Sequence, residues 1–207
     1  MTKQSDNQTT MKLIGLTGHI ATGKTTVLNI FKKLGYPTIS CDDVYHYLLK
    51  TDNTLKNKLV ANFGKEILEG DEISTKKLAS IATSSKKNLM LLEKITHPII
   101  LKYVFRQIKE LKKSQPAIIV VDVPLLFEKK LHKKFDYVIA VACSKKTQTK
   151  RLKKRKVDKK VLKILLSRQL PLSKKIKLSD FTIHNNNLPK KQLEEEVKKI
   201  INTICTL

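Results

Sequence analysis

The sequence predicts an α/β fold, a parallel sheet flanked by helices. Three observations lead there. Short apolar runs alternate with segments of helical period along the chain, which is the pattern of βα units. The run AIIVVDV at 117–123 is continuously apolar and β-branched, as a strand buried on both faces must be. The first apolar run, KLIGLT at 12–17, passes through a glycine-containing turn straight into a helical segment.

The elements follow in order. Residues 1–11 read as a flexible polar leader and 12–207 as one domain. After the strand at 12–17, Val27, Leu28, Ile30, Phe31 and Leu34 recur at helical spacing over 24–34, and Gly35 ends the helix. PTIS at 37–40 is a second short strand. Helices are expected over 42–50 and 55–63, the latter stopped by Gly64, and over 74–82 with Ser74 as N-cap. The pattern over 86–113 is helical but contains His97-Pro98. Proline lacks an N–H donor and restrains the residue before it, so two helices are expected there. Strands at 117–123 and 135–142 (FDYVIAVA), a basic helical region at 145–177 and a last strand at 181–185 (FTIHN) come next. Pro189 opens a final helix with Leu193, Val197, Ile200, Ile201 and Ile204 on one stripe. The core is expected over 12–50, 115–144 and 178–207, with a helical insertion at 51–114 across the sheet's carboxyl edge.

Composition excludes several classes. The chain has 207 residues and 41% are hydrophobic, which rules out disorder for most of it. No run approaches the ~18 apolar residues of a membrane span, and the first ten residues lack the apolar stretch of a secretory signal. Cys41, Cys143 and Cys205 are odd in number and form no CxxC pair, so a reducing, cytoplasmic setting is expected. Cys143 and Cys205 read as packing residues and His132 as part of a basic surface stretch. Lys and Arg number 42 against 18 acids, a net charge of +24. Such a field suits a polyanionic ligand or a lysine-rich solvated surface.

The chemistry is carried by residues 18–25. Gly18-His19-Ile20-Ala21-Thr22-Gly23-Lys24-Thr25 fits GxxxxGK[ST], with a strand before it and a helix after. In such a loop successive backbone N–H groups converge on phosphate oxygens, and the helix adds its positive end. Lys24 would reach the outer phosphates of a bound nucleotide and the Thr25 hydroxyl would ligate Mg²⁺, with Thr26 beside it. Asp42 lies just beyond the second strand, where open α/β sheets place ligands. It can serve as base for an attacking hydroxyl, or Asp42 and Asp43 can cap the next helix. Asp122 ends the third apolar strand, either as a metal-site carboxylate or as a turn acid. Arg151 and Arg155, four apart, leave one helix face. They can clamp a transferring phosphoryl group or belong to a solvated basic helix. Ser144 is expected to cap that helix.

With these residues set out, the chain resembles the dephospho-CoA kinase family over residues 12–197. The family's LTGGIGSGKS appears here as Leu16 to Thr25. Its FxxLGxxxIDAD appears from Phe31 to Asp42, with Leu34, Gly35 and Ile39 in place. His97-Pro98, Pro124-Leu125-Leu126-Phe127-Glu128, and the pair Arg151 and Arg155 follow in order. Gln169, Lys175, Asp180 and Asn185 fit QxxxxxKxxxADxxIxN. The chain departs from the pattern at His19, Ala21, Ser40, Ser179 and His184. The resemblance implies a three-layer phosphate-loop NTPase fold with a helical acceptor-side insertion and a basic helical lid at 145–177. It implies transfer of phosphate from ATP to the ribose 3′-hydroxyl of dephospho-CoA, with Asp42 as base. His46, His97, Phe127 and Glu128 would then line the acceptor pocket, though Phe127 can equally belong to the core. Asn185 would face adenine.

The alternative is another phosphate-loop small-molecule or nucleoside monophosphate kinase, against which the PLLFE string and the Asp42 phrase argue. A nucleic-acid binder is not expected, because aromatics are only 5% and there is no Trp to form a base-stacking platform. No membrane partner is expected, and the protein should be a monomer or weak homo-oligomer. Within 145–177 there are 15 Lys and Arg against one acid, Asp158. The charge is therefore concentrated on the expected lid, where it would steer anionic substrates.

Overall fold

Five parallel strands form the sheet in the computed structural model, which describes residues 11–155 and 158–207. Except for Met11, the leader expected over 1–11 lies outside the described residues. The strands are β1 (Lys12–Gly18), β2 (Thr38–Ser40), β5 (Ile118–Asp122), β6 (Tyr137–Ala142) and β7 (Phe181–His184), in the order β2-β5-β1-β6-β7. Leu16 and Ser40 both pair with Asp122. That register brings the end of β2, the end of β5 and the turn after β1 to one level at the carboxyl edge.

Every residue of β5 is buried, and alternate residues feed two cores. Ile118 and Val120 join Ile14, Leu16, Ile139 and Val141 against α1 (Lys24–Lys33) and α9 (Lys190–Thr206). Ile119 and Val121 join Leu13 and Val138 on the opposite face. There they meet α2 (Cys41–Thr51), α3 (Asn53–Phe63), α4 (Thr75–Ala82) and α5 (Lys86–Leu111). The α9 stripe is as expected, with Leu193, Val197, Ile201 and Ile204 buried.

The structure departs from the sequence expectations at several points. Residues 86–111 form one helix of 26 residues with Pro98 inside it. Proline in a helix interior costs about 3 kcal/mol. Beyond it, Ile100, Val104 and Ile108 continue the buried face begun by Leu89, Glu93 and Thr96. Burying three such apolar side chains at ~1.5–3 kcal/mol each outweighs the break. A two-stranded hairpin, β3 (Leu68–Glu69) with β4 (Glu72–Ile73), turns at Gly70-Asp71. Its strands are too short to show alternation in sequence. Ser74 precedes α4, but its hydroxyl makes no cap bond.

Between β6 and β7 run α6 (Lys145–Lys154), α7 (Lys159–Ser167) and α8 (Leu172–Leu178). Ser144 caps α6 by accepting from the Thr147 N–H. Among the described residues, no helix is long and apolar enough to cross a membrane. Cys143 is buried and Cys205 exposed, so only the first is a packing residue. His132 is half-buried, not on the open surface. Its ring lies 5.4 Å from that of Phe127, and its Nδ1 is buried without a partner.

Candidate functional site: a phosphate loop joined to an apolar cavity

The loop between β1 and α1 is held open by contacts to its carbonyls. Gly23 has φ 101°, and a Cβ there would collide with the Asn185 amide, so only glycine fits. Ala21 adopts φ 63°, a left-handed angle unusual for a residue with a side chain. Its carbonyl accepts from Arg151 Nη1 at 3.3 Å, the Thr22 carbonyl accepts from the same nitrogen at 2.9 Å, and the Ile20 carbonyl accepts from Gln148 Nε2 at 2.8 Å. With the carbonyls turned toward α6, the loop's N–H groups can converge on an anion. Lys24 Nζ lies over the loop, 3.3 Å from the His19 carbonyl and 3.5 Å from that of Gly18. Thr25 and Thr26 are exposed at the start of α1.

Arg151 and Arg155, at the end of α6, have different surroundings. Arg151 is engaged by the protein: besides the loop carbonyls, its Nη2 donates to the Asn185 carbonyl at 3.1 Å, Asn185 Oδ1 at 3.0 Å and Asn187 Oδ1 at 3.1 Å. Arg155 is exposed and faces the cavities. Arg151→Ala is expected to strand at least three acceptors, lowering stability by about 2–3 kcal/mol and raising the KM for ATP roughly 10-fold. Arg151→Lys should recover little of either, because an ammonium cannot span two faces of a fork. Thermal melts and ATP titrations check both, and near-normal values for Arg151→Lys would contradict this account.

Two cavities meet at Asp42. One, of about 320 Å³, is lined by Lys24, Thr25, Thr26, Asp42, Asp122 and Arg155, with Ile20, Ala21 and Gly23 of the loop. The other, of about 340 Å³, is largely apolar and is lined by Tyr45, Leu92, His97, Ile100 and Leu131 with Asp42 at its edge. Of the two roles open to Asp42, the helix cap is taken by Ser40. The Ser40 Oγ accepts from the Asp43 N–H at 3.1 Å and caps α2, so the exposed Asp42 carboxylate is left facing both cavities. Burial pushes the neighbouring Cys41 thiol up to about 12, with Asp122 and Asp42 adding to it, so Cys41 is not a ready thiolate.

Other expected site residues lie elsewhere. Glu128 does not line either cavity: its Oε1 pairs with the fully buried Lys175 Nζ at 2.9 Å and accepts from the Leu170 N–H at 2.7 Å. Lys175 Nζ also donates to the Pro124 carbonyl at 2.7 Å. Phe127 is buried in the core, and His46 is exposed outside both cavities. His97 stays in place, half-buried in the apolar cavity, with burial holding its pKa below the ordinary value. His19 sits 2.6 Å from the Leu170 carbonyl through Nε2, and burial holds it low, so the neutral ring donates to the turn between α7 and α8. Asn185 is buried behind Gly23. It also borders an outer cavity of about 680 Å³ with Lys154, Arg155, Leu188 and Leu193.

A family model described as dephospho-CoA kinase matches residues 12–190. The chain belongs to the dephospho-CoA kinase family. A dephospho-CoA kinase from Carboxydothermus hydrogenoformans is 38% identical over 180 residues, covering 85% of this chain and 86% of that one. One from Arabidopsis thaliana is also 38% identical, covering 85% and 77%. The solved dephospho-CoA kinase from Campylobacter jejuni superposes with a TM-score of 0.67 at 27% identity, covering 94% and 97%. The dephospho-CoA kinase fold is thus the three-layer phosphate-loop fold described above.

For a dephospho-CoA kinase, Asp122 is the informative acid. Burial pushes its carboxyl up to about 7; Lys24 opposes this and Asp42 and Asp43 add to it. Oδ1 is buried and has no partner. An orphaned carboxylate oxygen in the cavity that the exposed Thr25 also lines fits a Mg²⁺ site completed by phosphates and water. Because the folded value lies above the ordinary 3.8, the stability that this group contributes is full below pH ~4 and is lost as pH rises through ~7. Asp122→Asn should therefore melt several degrees above the parent chain at pH 8 in EDTA, and the gap should shrink toward pH 5. A gap independent of pH would refute the shift.

Proposed function

We propose that the chain transfers the γ-phosphoryl group of ATP to the ribose 3′-hydroxyl of dephospho-CoA, giving CoA and ADP. The observation that carries this is the position of Asp42, the carboxylate common to the phosphate cavity and the apolar cavity. ATP would lie along the loop, its phosphates on the N–H groups of residues 18–25 and on Lys24, and its nucleoside end toward Asn185 and Leu188. The acceptor would enter the apolar cavity, between α2 and α5. Thr25 and Asp122 would hold Mg²⁺, which supplies charge neutralisation of the phosphates. Asp42 takes the proton of the 3′-hydroxyl as that oxygen forms its bond to the γ-phosphorus and the bond to the ADP oxygen breaks. Arg155 faces the charge that builds on the transferred group.

In this reading residues 51–114 are the acceptor-side insertion and 145–177 the lid, and the enzyme acts in the cytoplasm as a monomer or weak homo-oligomer. ADP release measured with dephospho-CoA beside AMP, CMP and UMP tests it. Turnover with dephospho-CoA alone is expected; turnover with a nucleotide monophosphate alone would replace the reading by nucleoside monophosphate kinase activity.

A further inference from the structure

Three charged side chains meet on the wall between the two cavities, and none has a part in the chemistry above. Glu93, on α5, is only 7% exposed. Its carboxylate accepts from Arg168 Nη2 at 2.8 Å and Nε at 3.3 Å, and from Lys129 Nζ at 3.1 Å. The three belong to different parts of the chain: the insertion, the end of α7, and the loop after β5. Glu93 and Arg168 line the phosphate cavity, while Lys129 lines the apolar one.

Burial alone would raise the Glu93 carboxyl, but hydrogen bonds from Arg168 and Lys129 outweigh it and hold the group ionised. Two cations against one anion leave a net positive charge at the cavity wall. The half-buried His97 also faces this group, and its lowered pKa keeps it neutral. Stability is a weak reason to keep such a cluster, because buried ion pairs often do no better than apolar residues of the same volume. Its place at the junction supplies another reason.

We propose that Glu93 holds the Arg168 fork and Lys129 in position as an anion subsite for the diphosphate of the acceptor. This rests on the dephospho-CoA reading, since dephospho-CoA carries a 5′-diphosphate on the same ribose whose 3′-hydroxyl must reach Asp42. The donor's phosphates are the other possible source of anion. They already have the loop N–H groups and Lys24, and Lys129 opens into a cavity that contains no residue of the loop. A guanidinium fixed by a carboxylate can turn its remaining N–H groups to a phosphate without reorganising. Because Arg168 is on the lid and Glu93 on the insertion, the subsite also joins the two sides of the cleft around the acceptor.

Steady-state kinetics with both substrates varied tests this. Arg168→Gln should raise the KM for dephospho-CoA by about 10–100-fold and leave the KM for ATP within about twofold. Lys129→Gln should act in the same direction, and it serves as the second variant if Arg168→Gln does not fold, because the Lys129 side chain is 34% exposed. Arg168→Lys should recover part of the loss. Glu93→Gln adds net positive charge yet should raise the acceptor KM, because the fork loses its anchor. A lower acceptor KM in Glu93→Gln would overturn the positioning role. An unchanged acceptor KM in both cation variants, or a rise confined to ATP, would overturn the subsite. Failure of the parent chain to use dephospho-CoA would instead remove the functional reading, and is seen before any variant is made.

Discussion

Asp42→Asn is expected to lower kcat by about 10²–10⁴-fold while ATP binding changes by no more than about twofold. Asparagine keeps the shape of the side chain and its place at the start of α2, where Ser40, not Asp42, makes the cap bond. What it removes is a proton acceptor at the only side-chain carboxylate that both cavities share among their lining residues. Single-turnover kinetics beside calorimetric ATP titration would separate the two effects. A second signature is available, because the Asp42 charge helps to push up the Asp122 carboxyl. In Asp42→Asn that carboxyl should titrate lower than in the parent chain. A kcat within about threefold of normal would place the base elsewhere.

Lys24→Ala is expected to reduce kcat/KM by about 10³-fold or more, since it removes the mobile cation that follows charge onto the leaving phosphate. The amine rests on two loop carbonyls, those of His19 and Gly18, and forms no ion pair among the described residues, so its loss should cost little folding stability. Lys24→Arg should not rescue turnover, because a planar fork cannot stand in for a compact ammonium between the loop and Asp122. Since Lys24 draws the Asp122 carboxyl down, the alanine variant should also titrate higher at Asp122. Activity within about tenfold of the parent would remove Lys24 from the reaction.

Much of the fold is legible in the sequence because the features that announce it are local. A strand, a glycine turn and a helix start lie within 12–34, and their spacing alone predicts a phosphate loop. The sheet's strands show as apolar runs bounded by turns. The different places of Arg151 and Arg155 are not legible, because the two look alike on a helical face. Only the fold puts Arg151 under the loop, where it meets Ala21, Thr22 and Asn185. Glu128 and Phe127 likewise sit in a family phrase whose spacing says nothing about which side chains face inward. Glu93 does carry a readable signal: Leu89, Glu93, Thr96 and Ile100 share one helical face, so an acid interrupts a buried stripe. Such an acid must find cations, and its partners lie 36 and 75 residues away along the chain. The break expected at Pro98 is absent for a related reason. Local backbone preference is overridden by apolar contacts that only the folded chain supplies.

The unbroken α5 also decides which side of the cleft can give way. Glu93 and His97, on the turn before Pro98, share one rod with Val104 and Ile108, which are sunk in the core. Two helices hinged at the proline would let the half that carries Glu93 swing as a separate body. A single helix fastened at its far end cannot do so without dragging Val104 and Ile108 out of their packing. On the proposed reading the acceptor wall is therefore fixed ground, and opening of the cleft would fall to α6, α7 and α8. On that reading the shape that selects the acceptor exists before the acceptor arrives, so none of its binding energy would go into building the wall.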